Sequence, residues 1–545
     1  MELISQHAKR IMEGCKDRAR QAGLRFGDET LEYIVTNRDM VALGPKVMIP
    51  TLYDYWVQDV EVLREQGRYE LYPNNPYETV INTRPPISYY NDNNPDWLNV
   101  MIFYHVIGHI DLFQNNLFFR HTWDYDFAGR ALADKRLFAK LRSEKGRWVD
   151  YVIEFARTID NLVGYFDLLA ETDGGAKGGR PLSLLDYYFD IFLQRGPKPA
   201  VSLYAKEIER YNRMRREFPE DGELRFLKSV TEKHRELEAL HAKKVQEKQQ
   251  VGRTDPLRFL MEYSPFLNRE ENRWMLMILE VIRSTSLYFQ PQIRTKILNE
   301  GWASYWHDTL FLGDDRIRGH EVDYAIVNAK VTSMPRVGLN PYALGMRLFQ
   351  YLEQQADRGR TGLAYFQTHD RRKRQQFDRA TGQGRDYIFH IRENYCDSMF
   401  VNQFIDQDFV DQHRLFVVGK RLNKERMTWQ YYVRSRKAAD YRQMVADSLY
   451  HPPRVEVRVD ENNVLVLDHQ FEGKPLLRDF ISGVMLGLEY LWGGEVHLYT
   501  SVPIPVKANR EDDGQVREET PKRIIEWKRF RYTMKDKTLA RTLAE

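Results

Sequence analysis

The chain has 545 residues, 42% of them hydrophobic and 29% charged. That is core material for two to four domains or for one large core with additions, and excludes a disordered or fibrous chain. A net charge of +3, from 81 basic and 78 acidic residues, excludes a general nucleic-acid binder. The two cysteines, Cys15 and Cys396, lie far apart, so no disulfide framework is implied and a reducing compartment is expected.

Residues 1–37 read as helical, with apolar positions at Ile4, Ala8, Ile11 and Met12. The charged N-terminus lacks the apolar run of a signal peptide, and no window approaches a membrane span, so a cytoplasmic protein is expected. Gly44, Pro45 and Pro50 mark a loop, after which Thr51 caps a short helix through Val62. From Gly67 to Asp96 prolines alternate with Asn and Tyr, which is ordered-loop chemistry, and Thr79–Thr83 suits a short strand in a hairpin.

Asn94 as N-cap, Pro95 at the first helical position and Asp96 in the first turn start a helix that runs to about Phe119. A helix at Trp148–Ala170 ends at the glycine-rich turn Asp173–Gly179, which lacks the Lys-Ser/Thr ending of a phosphate loop. Helices follow at Leu184–Leu193 and Leu203–Gln249, the latter dense in Lys, Arg and Glu and read as a solvated face. A helix at Arg269–Phe289 stops before Pro291, and another runs to about Phe311. Asn340 caps a helix that starts at Pro341, and residues 367–385 form a polar, basic loop.

From Tyr441 the period changes. Arg454–Val459 and Val464–Asp468 alternate as strands, Pro475–Trp492 is helical, and Glu495–Thr500 is a strand. The expected fold is therefore mainly α. It comprises a large helical body over residues 1–440, a small C-terminal α+β domain over 441–505, and a charged tail over 506–545.

Two stretches carry chemistry. On the helix after Pro95, Leu98, Ile102, His105, His109, Leu112 and Asn116 share one face. Histidines at i and i+4 converge on one point, which is a metal-ligand spacing. In PQIRTKILNEGWASYWHDTLF, Glu300 and His307 lie seven apart and share an otherwise apolar face. A buried carboxylate must be paired or coordinate something. His105, His109, Glu300 and His307 are thus the expected ligands of a divalent metal between two helices, zinc first, with manganese or iron as alternatives.

HxxxH with NEGWA also resembles the helical zinc peptidases, which carry HExxH and a downstream NEG[FW]A glutamate. Val106 stands where their water-activating Glu would be. Asp111 or His307 would then serve as base. Asn115, Asn116, Gln292, Asn299 and Tyr288 would hold substrate or orient the ligands.

The blocks YDYWVQDVEVLREQGRYELYPNNPYE, GHIDLFQNNLFF, YFQPQIRTKILNEGWASYWH, GLNPYALG and CDSMFVNQFIDQDFVDQHRLF occur in the order found in the stage V sporulation protein R (SpoVR) family. The chain resembles a divergent member of it over residues 50–500. The resemblance implies a cytoplasmic protein tied to spore cortex formation or stress response, with a serine protein kinase and a von Willebrand-type protein as partners. Two functions compete. One is a metal-dependent hydrolase acting on an amide-containing, cell-wall-related substrate. The other is a non-catalytic regulator or scaffold with a structural metal. Neither involves general nucleic-acid binding.

Overall fold

Strand β1 (Glu2–Leu3) leads into helix α1 (Gln6–Gln21), whose start is capped by Ser5 Oγ accepting from Ala8 N at 3.1 Å. The expected helix over 1–37 stops at Gln21. The β-branched and aromatic run of β2 (Leu31–Val35) instead pairs in parallel with a distant strand. Strands β3 (Glu78–Ile81) and β4 (Ile87–Asn91) form the expected hairpin. The four-stranded sheet has the order β1-β2-β4-β3.

The computed structural model describes residues 2–27, 29–36, 78–123, 127–165, 169, 183–193, 201–218, 221–241, 254–423, 427–506 and 524–544. The expected helix after Thr51, most of the first family block, the turn Asp173–Gly179 and the end of the charged run 203–249 lie outside them. Two units divide the chain, Met1–Lys140 with Leu287–His451, and Leu141–Ser286 with Pro452–Glu545.

Helix α2 (Asp96–Asn115) is the core of the first unit and is buried at every position from Val100 to Phe113. Pro95, not Asn94, is its N-cap, and no side chain caps it. The helix ends short of Phe119 because Asn116 turns extended and donates its amide to the carbonyls of Arg392 and Tyr395 at 2.6 and 3.0 Å. Pro291 lies inside the helix Arg273–Arg294 rather than beyond its end, and its carbonyl accepts Thr295 Oγ1.

Helix α3 (Lys296–Phe311) starts at Thr295, which provides no side-chain cap. Asp397 caps it from a hundred residues away, its carboxylate accepting Ile297 N and Leu298 N at 2.9 and 2.8 Å. Helix α4 (Glu321–Thr332) follows, and Asn340 caps α5 (Pro341–Asp357) as expected by accepting from Tyr342 N and Ala343 N.

Small residues let three of these helices approach closely. A Cβ on Gly108 of α2 would sit 2.8 Å from Ala303 Cα of α3, and Gly301 of α3 faces Gly345 of α5 across a similar crossing. After α6 (Gly384–Asn394), the unit closes with the two-stranded ribbon β5 (Val417–Asn423) and β6 (Thr428–Ser435), and with α7 (Ala438–Ser448).

The second unit contains the expected β-β-α-β order as β7 (Val455–Val459), β8 (Leu465–His469), α8 (Arg478–Trp492) and β9 (Val496–Val506). Gly493 ends α8 in the left-handed conformation at φ 77°. The expected tail is not a tail over its described part. β10 (Ile524–Lys535) and β11 (Thr538–Leu543) extend the sheet to β11-β10-β9-β8-β7, with only β8 and β9 parallel. Helices from 141–286 belong to this unit, since Trp148 stacks on Tyr490 at 5.9 Å and Ser264 Oγ donates to Leu491 O at 2.7 Å. The second unit thus joins residues 141–286 to those from 452 onward.

The charged run starting near 203 is two helices, Val201–Glu217 and Gly222–Lys233. Phe226 and Val230 of the second are buried against Tyr188 and Phe189, so the run has an apolar face as well as a solvated one.

Candidate metal centre

Helical spacing places His105 and His109 one turn apart on α2, and the Gly108–Ala303 contact brings Glu300 of α3 opposite them. The two imidazoles meet edge to face with centroids 4.6 Å apart. His105 Nε2 lies 3.7 Å and His109 Nε2 3.6 Å from Glu300 Oε2. Those separations exceed a hydrogen bond, and Glu300 Oε2 is buried without a hydrogen-bond partner.

Glu78, the first residue of β3, is a candidate ligand that helical spacing missed. Its carboxylate and the ring nitrogens of His105 and His109 all lie within 4.8 Å of one another. It is also the last residue of the YDYWVQ…PNNPYE block, and that block was its only signal in the sequence.

His307 does not occupy the ligand position expected for it. Its Nε2 bonds to Asn328 Oδ1 at 3.0 Å and its Nδ1 to His105 Nδ1 at 2.9 Å. Asn328 Nδ2 donates to Asp308 Oδ1 at 2.9 Å, which fixes the amide with its oxygen toward His307. Hence His307 Nε2 carries the proton and its Nδ1 accepts from His105 Nδ1. That leaves the lone pair of His105 Nε2 directed at Glu300. His109 is set the same way, with Nδ1 donating to Asn299 Oδ1 at 2.9 Å and Nε2 free for the centre.

Burial sets the electrostatics of the centre first. Burial and the neighbouring His105 push His109 down to about 4, and burial and His105 push His307 down to about 3, so both stay neutral. Burial and the Glu300 charge push Glu78 up to about 7 against the pull of His105. Burial would raise Glu300 too, but the two imidazoles bring its carboxyl net below the usual range.

Tyr342, also missed, stacks over His105 at 6.1 Å. Burial and the charges of Glu300 and Glu78 hold its phenol protonated, far above its ordinary range. Its place in NPYALG now has a reason. Asn340 caps the helix, Tyr342 faces the centre, and Gly345 admits α3.

The remaining expected residues are engaged elsewhere. Asp111, expected as a base, is fully buried and accepts Arg25 N at 2.7 Å and Trp302 Nε1 at 2.8 Å, with Arg392 Nε 3.2 Å away. No lone pair of it is directed at the histidines, which project from other sides of α2. Asn115 bonds to the Arg25 and Asp111 carbonyls, and Asn116 to those of Arg392 and Tyr395. Tyr288 donates to Asn82 O. Gln292 is half-buried on the helix before α3. Of the proposed ligand-orienting residues, only Asn299 touches a ligand of the centre.

The chain is similar to a family described as SpoVR like protein, whose model matches residues 2–451. The match covers the first unit and the helical part of the second, and stops before β7. It is also similar to Uncharacterized protein YcgB of Escherichia coli (strain K12), at 23% identity over 404 residues, covering 71% of this chain and 69% of that protein. No solved structure matches.

Proposed function

The chain belongs to the SpoVR family, and from that premise we propose that it is a metal-dependent hydrolase acting on an amide-containing substrate. The observation that carries this is the buried, unpartnered Glu300 Oε2, set 3.6–3.7 Å from two imidazole nitrogens whose protons are held on their far sides. Lone pairs converging without a donor are unfavourable unless a cation joins them. Two nitrogens and carboxylate oxygens suit zinc, and also manganese or iron.

His105, His109 and Glu300 would hold the ion. When bound, it supplies Lewis acidity toward a carbonyl and lowers the pKa of water. Glu78 replaces the base missing at Val106, facing the same centre from the sheet rather than from the helix. It takes the proton from the attacking water and returns it to the departing amine. Tyr342, kept protonated, donates a hydrogen bond to the oxygen on which negative charge develops.

A second reading is favoured by the number of donors. Glu78 as a fourth ligand would complete a tetrahedral set and make the site closed and structural, as a regulator or scaffold would use it. One experiment separates the two. Purified wild type should contain close to one divalent ion per chain by elemental analysis, lost in His109→Ala and Glu300→Ala. Glu78→Gln should keep the ion while losing amide hydrolysis. Loss of the ion from Glu78→Gln would favour the structural reading, and metal-free wild type would remove both.

Family membership supports a role in spore cortex formation or stress response beside a serine protein kinase and a von Willebrand-type protein. Co-purification of the tagged chain with both tests that association. Among the described residues no helix is long and apolar enough to cross a membrane.

A further inference from the structure

A cavity of about 550 Å³ opens in the first unit between the loop around Arg336, the turn at His413–Arg414, the start of the β5–β6 ribbon and helix α7. None of the metal-centre residues lines it. Its volume falls within the range of small-molecule sites.

Three arginines line it, each delivered by irregular backbone. Arg336 lies in the loop between α4 and α5. Arg414 is held in the left-handed region at φ 52°, in a turn closed by Leu415 N donating to Val410 O at 2.9 Å. Arg434 is the extra residue of a β-bulge, because Val417 pairs with Ser435 and Val418 with Val433. Bulges re-aim a side chain, and a non-glycine residue at positive φ is held there only by its surroundings.

Among the described residues none of these three guanidinium groups has an ion-pair partner. His413 also lines the cavity. The two carboxylates on the wall, Asp440 and Asp447, share one face of α7 and accept from Ser435 and Gln443. They leave the positive charge in excess and supply acceptors for hydroxyl groups.

We propose that this cavity binds an organic phosphate of sugar-phosphate or nucleotide size. Its phosphate would sit against Arg336, Arg414 and Arg434, and its hydroxyls would face Asp440 and Asp447. Planar guanidinium forks match phosphate oxygens two at a time, and several together suit a doubly charged group.

Isothermal titration of the full chain with ADP, glucose 6-phosphate and inorganic pyrophosphate tests this. Saturable binding of at least one hydroxyl-bearing probe is expected, tighter than pyrophosphate. Arg414→Gln and Arg434→Gln should each weaken it about tenfold or more, since each removes a charge-assisted contact. Arg318→Gln, which alters an exposed arginine paired with Asp315 outside the cavity, should leave it unchanged. The altered arginines are exposed, so unchanged thermal unfolding should accompany the loss. Absence of saturable binding by all three probes would overturn the proposal. So would binding that is equally tight in both variants, or pyrophosphate binding as tightly as the organic phosphates.

Discussion

Helix α2 carries two buried polar clusters a few residues apart, and they are built on opposite principles. Around Asp111 the charges cancel. The carboxylate accepts from a backbone N–H and an indole N–H and pairs in charge with the Arg392 guanidinium 3.2 Å away; both ionic side chains are fully buried, and among the described residues the guanidinium itself makes no hydrogen bond. Around His105 and His109 nothing cancels. Imidazole nitrogens whose protons are held elsewhere face the oxygens of Glu300 and of Glu78, the latter raised to about 7. Both clusters would score as unusual titratable groups in an apolar core. Burial alone therefore does not distinguish the two clusters, whereas acceptors sharing one centre do.

The largest effect expected from this contrast is on stability. Arg392→Leu leaves the Asp111 carboxyl, which burial already pushes up to about 6, buried without its counter-charge, which should cost about 3–5 kcal/mol in chemical denaturation. The double change Asp111→Asn with Arg392→Leu should recover most of that. Metal content of the folded fraction should stay at the wild-type level in both. A fall in metal content matching the fall in stability would show that the two clusters are one.

The next effect is on pH dependence in metal-free protein. His109 and His307 are depressed to about 4 and about 3 in the folded chain. An unfolded chain takes up those protons near pH 6.5, so the stability they allow is present above pH 6.5 and is lost on acidification. Glu78, raised to about 7, has the opposite sign. The folded chain gains its proton before the unfolded one does, and between about pH 7 and 4.5 acidification stabilises through it. Glu78→Gln removes that offset. Between about pH 6.5 and 4.5 its stability should fall more steeply than wild type by about 1.4 kcal/mol per pH unit. Parallel curves from denaturation at several pH values would mean that the Glu78 carboxyl is not held buried beside Glu300.

Much of this architecture was legible from local patterns. The Asn340 cap, the β-β-α-β order and the facing of His105 and His109 follow from capping chemistry and periodicity, which act over a few residues. What escaped depends on long-range contact. Asp397 capping α3, Leu31–Val35 pairing with Ile87–Asn91, and the strands beyond residue 523 are set by partners tens to hundreds of residues away. At the centre, helical spacing placed Glu300 and His307 correctly on one face. It could not say that His307 meets an amide and an imidazole first, nor that a strand residue would replace it.

That replacement gives the smallest predicted effect and the most specific one. Asn328 touches no ligand, yet its oxygen decides which nitrogen of His307 carries a proton, and His307 decides which nitrogen of His105 is left free. Asn328→Ala frees His307 to adopt either tautomer. In one of them it donates toward His105 Nδ1, and His105 must then carry its proton on Nε2, facing Glu300. Metal binding would first have to reverse that arrangement. Outer partners of metal-bound histidines typically contribute about 10–100-fold in affinity, so a loss in that range is expected by chelator competition. Asn328 is only half-buried, so the thermal midpoint of metal-free protein should move little. Unchanged affinity would mean that His105 keeps its tautomer without the chain through His307. A collapse in stability instead would place Asn328 with the charge-balanced cluster around Asp111, among residues that hold the fold rather than poise the centre.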